Sequence, residues 1–205
     1  MIYLIGGSMR GGKTTLAKKL SKELDIPCIS TDYLRLVVMS YFLGEEKDVS
    51  FPFEKMFDLS GMKIFQDYSG SELLEADIKE SEVLWRGIES FIQHLLLVKK
   101  DYIFEGVHLL PSLVAKYKES GDFKIVLLTK IDKEKILRGL LENKGNNDWI
   151  ADNINSSKEL AIVAGSLEKY GKYFVEESKK YGLRWINTED NFKDRIDEAL
   201  NYLMK

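Results

Sequence analysis

The chain has 205 residues, 30 Lys+Arg against 33 Asp+Glu for a formal net charge of −3, and 44% hydrophobic residues. This composition fits one well-cored domain, excludes global disorder and gives no bulk attraction to nucleic acid or an acidic membrane surface. Cys28 has no partner for an intramolecular disulfide, and with His94 and His108 it makes no zinc site of the usual spacing, so a reducing, cytoplasmic compartment is expected.

Ile2 to Ile5 is a continuous apolar run ending in Gly6-Gly7, the pattern of a buried parallel strand. The run is too short for a signal-peptide core and has no basic leader. No apolar run in the chain is long enough to span a bilayer. Lys13 to Leu24 carries Leu16, Leu20 and Leu24 on one face and predicts a helix. Pro27 precedes a short second strand, Cys28-Ile29-Ser30. Residues 44 to 80 hold Phe51, Phe53, Met56, Phe57, Phe65 and Tyr68 without a clean period; such a cluster forms either a small core or a wall that stacks a ring. Ser81 to Val98 has helical periodicity through Leu84, Ile88, Ile92 and Leu95. Tyr102-Ile103-Phe104, Phe123 to Leu128 and Arg184-Trp185-Ile186 are the remaining strand candidates. Residues 143–149 read as a polar loop, Ser157 as the cap of a long helix, and Phe192 to Leu203 as the last helix. Alternation of short strands with helices predicts an α/β sheet with helices on both faces.

The strongest signal is Gly7-Ser8-Met9-Arg10-Gly11-Gly12-Lys13-Thr14, a full G-x-x-x-x-G-K-[ST] match between a predicted strand and a predicted helix. Glycines let successive backbone N–H groups converge on phosphate oxygens, and the helix adds its positive end. Lys13 is placed to reach the β/γ-phosphates, the Thr14 hydroxyl to ligate Mg²⁺, and Thr15 to meet the α-phosphate. Gly7, Ser8, Gly11 and Gly12 complete the nucleotide loop, while Arg10 is expected on the solvated surface.

Ligands of open α/β sheets lie beyond the C-terminal ends of the strands. Strand two is followed by Ser30-Thr31-Asp32-Tyr33-Leu34-Arg35. Ser30 or Thr31 can cap the next helix. Asp32 either complements its dipole or orients an acceptor hydroxyl near the metal; Arg35, a turn further on, either holds an anionic substrate or lies on the surface. Strand three is followed by Glu105-Gly106-Val107-His108-Leu109-Leu110-Pro111. Glu105 suits the Mg²⁺ shell or a substrate hydroxyl, Gly106 permits close approach of a ligand, and His108 is a ligand contact or a packed loop residue.

Together these three motifs resemble the small-molecule P-loop kinases, and most of all their 2-phosphoglycerate kinase-like branch. The resemblance covers residues 1–38 and 82–138. It implies a three-layer fold with a five-stranded parallel sheet of order 2-3-1-4-5, spread over one domain of residues 1–205, with an acceptor-binding insertion at about 40–80 and a lid at about 130–155. It further implies ATP and Mg²⁺ as cofactors, with Thr14, Asp32 and Glu105 around the metal, and a small-molecule acceptor held by Asp32, Arg35, Arg86, Glu105, Gly106 and His108. Adenine is expected near Asn187 and Thr188. The family's paired lid arginines are missing; Arg138 is the one arginine between Lys130 and Trp149 and is the expected lid cation beside catalytic Lys13 and Asp32. No nucleic-acid or membrane partner is expected, and the chain is expected to be a monomer or homodimer.

Two rival readings remain at this level. Asp58-Leu59-Ser60-Gly61 matches D-x-x-G and Thr129-Lys130-Ile131-Asp132 approximates a guanine-reading motif, which together would make a GTPase. D-x-x-G should follow a buried strand, however, and Asp132 also fits the N-cap of a lid helix. The other rival is a non-catalytic nucleotide-binding regulator.

Overall fold

The computed structural model describes residues 1–145 and 148–205, apart from the side chains of Met62 and Trp149. Asn146 and Asn147 of the expected polar loop and lid lie outside the described residues. The elements run β1 (Ile2–Gly7), α1 (Lys13–Leu24), β2 (Cys28–Ser30), α2 (Thr31–Met39), α3 (Gly44–Ser50), α4 (Pro52–Ser60), α5 (Ile64–Asp67), α6 (Gly70–Leu97), β3 (Tyr102–Glu105), α7 (Pro111–Val114), β4 (Phe123–Thr129), α8 (Lys133–Glu142), α9 (Trp149–Asp152), α10 (Ser157–Tyr181), β5 (Trp185–Asn187) and α11 (Phe192–Met204).

The five strands form one parallel sheet in the order β2-β3-β1-β4-β5. One core cluster covers one face of the sheet, with Ile2, Leu4, Phe104, Ile125 and Leu127 meeting Leu84, Ile88 and Ile92 of α6. A second covers the other face, with Ile5, Val126 and Ile186 meeting Leu16 and Leu20 of α1 and Ile196 and Leu200 of α11. This double coverage explains why β1 is buried along its whole length and shows no alternation. Among the described residues no helix is long and apolar enough to cross a membrane.

The stretch without a readable period, residues 44–80, is helical in α3, α4, α5 and the start of α6. Phe51 and Phe65 are buried, while Phe53, Met56, Phe57 and Tyr68 pack partly buried against the cluster built on Ile64, Leu73 and Tyr170. Helix α6 begins eleven residues before the expected start at Ser81, behind a capping box in which Ser69 Oγ accepts from Glu72 N and Glu72 Oε2 accepts from Ser69 N. Its inward stripe runs Leu73, Ala76, Asp77, Glu80, Ser81, Leu84. Asp77, Glu80 and Ser81 are polar but buried, and they interrupt the apolar pattern while the helical period continues through them. Ser156, not Ser157, caps α10, accepting from Glu159 N at 3.2 Å. Strand β5 begins at Trp185 rather than Arg184.

Candidate active site

The sheet order brings the motifs together. Placing β3 between β2 and β1 aligns Ser30 with Glu105 and Glu105 with Ile5, so the turns after three strands open on one crest. On the other side, Thr129 of β4 aligns with Asn187 of β5.

The phosphate loop leaves β1 at Gly7, whose φ of 126° and close packing on β4 both demand glycine: an added Cβ would stand 2.0 Å from the Leu128 carbonyl oxygen. No side chain caps the N-terminus of α1, so its first N–H groups stay open to a phosphate. Lys13 donates to the Ser8 carbonyl at 2.7 Å. Burial pulls the Lys13 pKa down, opposed by the charges of Glu105, Asp32 and Asp77. Ser8 turns its hydroxyl away from the cleft to accept from Lys130 N at 3.3 Å. Its side chain therefore anchors the loop to the β4 end, while its carbonyl holds Lys13. Thr188, just after β5, also anchors the loop, donating to the Gly11 carbonyl at 2.9 Å.

Two clefts meet over this loop. The first, of about 650 Å³, is lined by Lys13, Thr14, Thr15, Lys130, Arg138 and Thr188, with Glu189, Asp190 and Phe192 below. Arg138 points into it, and its guanidinium has no hydrogen bond or ion pair among the described residues. Lys135 also lines it but is paired with Asp190. Asn187 is not among the lining residues; its amide is held by Glu189, which also accepts from the N–H groups of Ile131 and Asp132.

The second cleft, of about 990 Å³, opens on the other side of Lys13, Thr14 and Thr15. Its polar floor holds Asp32, Arg35, Asp77, Glu105 and His108, and its apolar wall holds Met9, Leu36, Phe53, Phe57 and Ile150. Glu105 is buried and accepts from the Thr14 hydroxyl at 3.2 Å. Burial raises its pKa, opposed chiefly by Lys13. A hydroxyl and a carboxylate side by side at the front of a phosphate loop are hard oxygen donors, the kind Mg²⁺ takes together with water and phosphate.

Ser30, the first of the two candidate caps, accepts from Asp32 N at 3.3 Å. Thr31 is instead buried beneath the cleft, 2.8 Å from His108 Nδ1. His108 stands between two carboxylates, with Asp32 Oδ1 3.6 Å from Nδ1 and Asp77 Oδ1 3.8 Å from Nε2. Burial, reinforced by Arg35 and Lys13, drives its pKa to about 3, so the imidazole is neutral. Burial, with Glu80 nearby, pushes Asp77 up to about 7.

Two expectations are corrected here and one is extended. Gly106, at φ 154°, lines the second cleft and also makes room for Thr31: its Cβ would fall 1.7 Å from Thr31 Oγ1. Gly106→Ala is therefore expected to cost about 1–3 kcal/mol through strain at that φ. A urea denaturation midpoint equal to wild type would show that the crest yields without cost. Arg10 is not a solvated residue; it pairs with Asp148 and donates to the Gly139 carbonyl at 3.1 Å, tying the phosphate loop to α8 and to the residue capping α9. Arg86 is exposed on α6 and lines neither cleft.

Arg35 lines the second cleft but is already committed, its Nε to Glu80 at 2.6 Å and its Nη1 to Glu54 at 3.0 Å. Burial works against its charge, and the two glutamates outweigh burial to raise its pKa. Sequence reasoning missed Asp77, Glu80, Asp148 and the true position of Arg10. The one available signal was polar residues at 77, 80 and 81 in helical register with Leu73 and Leu84.

The guanine-reading pattern is also resolved. Asp58 lies on helix α4, with no strand before it, and is exposed. Asp132 Oδ1 accepts from Lys135 N at 3.0 Å and caps α8.

A five-stranded parallel sheet of order 2-3-1-4-5 with a phosphate loop after β1 is the fold of the small-molecule P-loop kinases, as the three motifs implied. No family model matches the chain. It is similar to the curated 2-phosphoglycerate kinase of Methanocaldococcus jannaschii, 26% identical over 212 aligned positions that take in 99% of this chain and 63% of the relative. The 2-phosphoglycerate kinase of Methanococcus maripaludis is likewise 26% identical, over 88% of this chain and 57% of the relative. The chain thus spans about 57–63% of the length of these curated relatives. Among solved structures, the shikimate kinase of Bacteroides thetaiotaomicron has a TM-score of 0.50 at 15% identity, covering 100% of this chain and 96% of that one. A gluconokinase of Sinorhizobium meliloti has a TM-score of 0.50 at 11% identity, over 98% and 90% of the two chains.

Proposed function

We propose that the chain is an ATP-dependent phosphotransferase that moves the γ-phosphoryl group of Mg-ATP to a hydroxyl or phosphate oxygen of a small acceptor. The observation that carries this reading is the meeting of two clefts over Lys13, Thr14 and Thr15. One suits a nucleotide, with the unpaired Arg138 facing it; the other has the size and chemistry of an acceptor site. Helices α3 to α5 act as the acceptor insertion and α8 with α9 as the lid. The likeness to proteins named as kinases of 2-phosphoglycerate supports the same reaction class.

In this reading the nucleotide phosphates take the loop N–H groups, and Lys13 moves from the Ser8 carbonyl to the β/γ oxygens. Thr14 and Glu105 would hold Mg²⁺, which would offset negative charge on the nucleotide phosphates. Asp32 sits at the acceptor side, exposed and beside neutral His108, and orients the attacking oxygen. That oxygen bonds to the γ-phosphorus, the bond to the β-bridging oxygen breaks, ADP leaves, and the acceptor proton passes to the Asp32 carboxylate. Arg138 and Lys13 stabilise the charge on the transferring group.

Asp32→Asn is expected to leave the KM for ATP unchanged and to cut transfer by about 10²-fold, the scale of one general base. Equal transfer rates would return Asp32 to complementing the α2 dipole. The parent reading is tested by ADP release from the full chain with Mg-ATP and a panel of nucleosides, nucleotides and small acids. ATP binding with turnover that no acceptor stimulates would favour a regulator instead.

A further inference from the structure

The charge balance of the second cleft narrows its ligand. Among the described lining residues the three cations are Arg10, Lys13 and Arg35. Arg10 is held by Asp148, Arg35 by Glu54 and Glu80, and Lys13 belongs to the phosphate loop. Asp32 and Asp77 face the same space, and the one charged-type neighbour within ion-pair range of either is neutral His108.

Asp77 is the decisive group. It is 5% exposed, lines the cleft, and makes no side-chain hydrogen bond among the described residues. Its oxygens open on the cleft, so a donor group of a ligand there can meet them. Arg35 offers no donor opposite Asp77: two carboxylates hold its guanidinium, and its unpartnered Nη2 is sealed from the cleft. The cleft therefore presents hydrogen-bond acceptor groups and an apolar wall that includes Phe53 and Phe57.

We propose that the phosphoryl acceptor is an uncharged, ring-bearing alcohol of the nucleoside kind rather than a phosphorylated or carboxylate acid. Its ring lies against Phe53 and Phe57, a donor group of the ligand meets Asp77, and its hydroxyl points to Asp32. An anionic acceptor would lie beside the Asp32 and Glu105 carboxylates and the Asp77 carboxyl, with no free cation among the described lining residues to match it, a repulsive arrangement that selects against such ligands. This rests on the kinase reading above, and it separates the chain from relatives named for a phosphorylated acid.

The test uses the full chain, Mg-ATP and two probe sets, adenosine, guanosine, cytidine, uridine and thymidine against 2-phosphoglycerate, shikimate and gluconate. The readouts are ADP release and phosphorylated product by mass spectrometry. At least one nucleoside is expected to stimulate ADP release ~10-fold or more over every anionic probe, the discrimination an unmatched charge gives. Asp77→Asn is expected to raise the KM for that nucleoside about tenfold and to leave the KM for ATP unchanged, since the amide has one acceptor oxygen where the carboxyl has two and a hydrogen bond to the ligand is lost. Transfer to an anionic probe above every nucleoside overturns the inference while leaving the kinase reading intact. Silence of all five nucleosides, with Mg-ATP binding intact, also overturns it. An unchanged nucleoside KM in Asp77→Asn, with the variant folded by circular dichroism, removes Asp77 from recognition.

Discussion

Lys13→Ala is expected to lower phosphoryl-transfer turnover by at least ~10²-fold, the scale of removing one preorganised electrostatic group from a site where charge develops. Lys13 is buried at the junction of both clefts, its ammonium held on the Ser8 carbonyl next to the phosphate loop, a short swing from the nucleotide phosphates. Burial lowers its pKa, and the field of Glu105, Asp32 and Asp77 opposes that shift. Alanine removes the charge and keeps the helix, so the loss should appear in turnover with the far-UV circular dichroism unchanged. Turnover near wild type in a steady-state ADP assay would sink the transfer mechanism.

Glu80→Ala is expected to destabilise the fold by about 3–5 kcal/mol, because it strips a buried ion pair of one member. Glu80 is fully buried on α6; one oxygen accepts from Arg35 Nε at 2.6 Å and the other from Glu54 N at 2.9 Å. Its loss would leave Arg35 with one carboxylate instead of two and uncouple α2 and α4 from α6. Glu80→Gln keeps an oxygen for the Glu54 N–H and should lose less. Urea denaturation of both variants measures this; a cost for Glu80→Ala below about 1 kcal/mol, the range of exposed pairs, would mean the three helices are held by apolar packing alone.

The sites of these two changes differ in how visible they are in the sequence. Lys13 is legible because a phosphate loop is a local object: eight consecutive residues set backbone angles that only glycines adopt, between an apolar strand and a helix. Glu80 is not legible, because its partner Arg35 lies 45 residues away and the pair is made by packing α2 and α4 against α6. The apolar period likewise predicts a start at Ser81, eleven residues inside the helix. Asp77 and Glu80 occupy core-facing positions that the apolar pattern would give to leucine, and polar groups at a site obscure the periodicity that marks a helix.

Arg10 and Gly106 show a second limit. Both lie inside recognised motifs, yet what each touches is set elsewhere: Asp148 and Gly139 for Arg10, Thr31 for Gly106. Gly106 could be read as space, but not as space for whom.

By itself, then, the amino-acid sequence determined the nucleotide loop, the five strands to within a residue or two at their ends, and the carboxylates at the ends of β2 and β3. These follow from short-range backbone preference and apolar runs. The tertiary structure decided which charges are free and which are spent. Arg35 is neutralised by Glu54 and Glu80, Arg10 by Asp148, and Asp77 is left buried with an open hydrogen-bonding edge. Ion pairing and burial depend on distances between segments far apart in the chain, and only the packed fold fixes those distances.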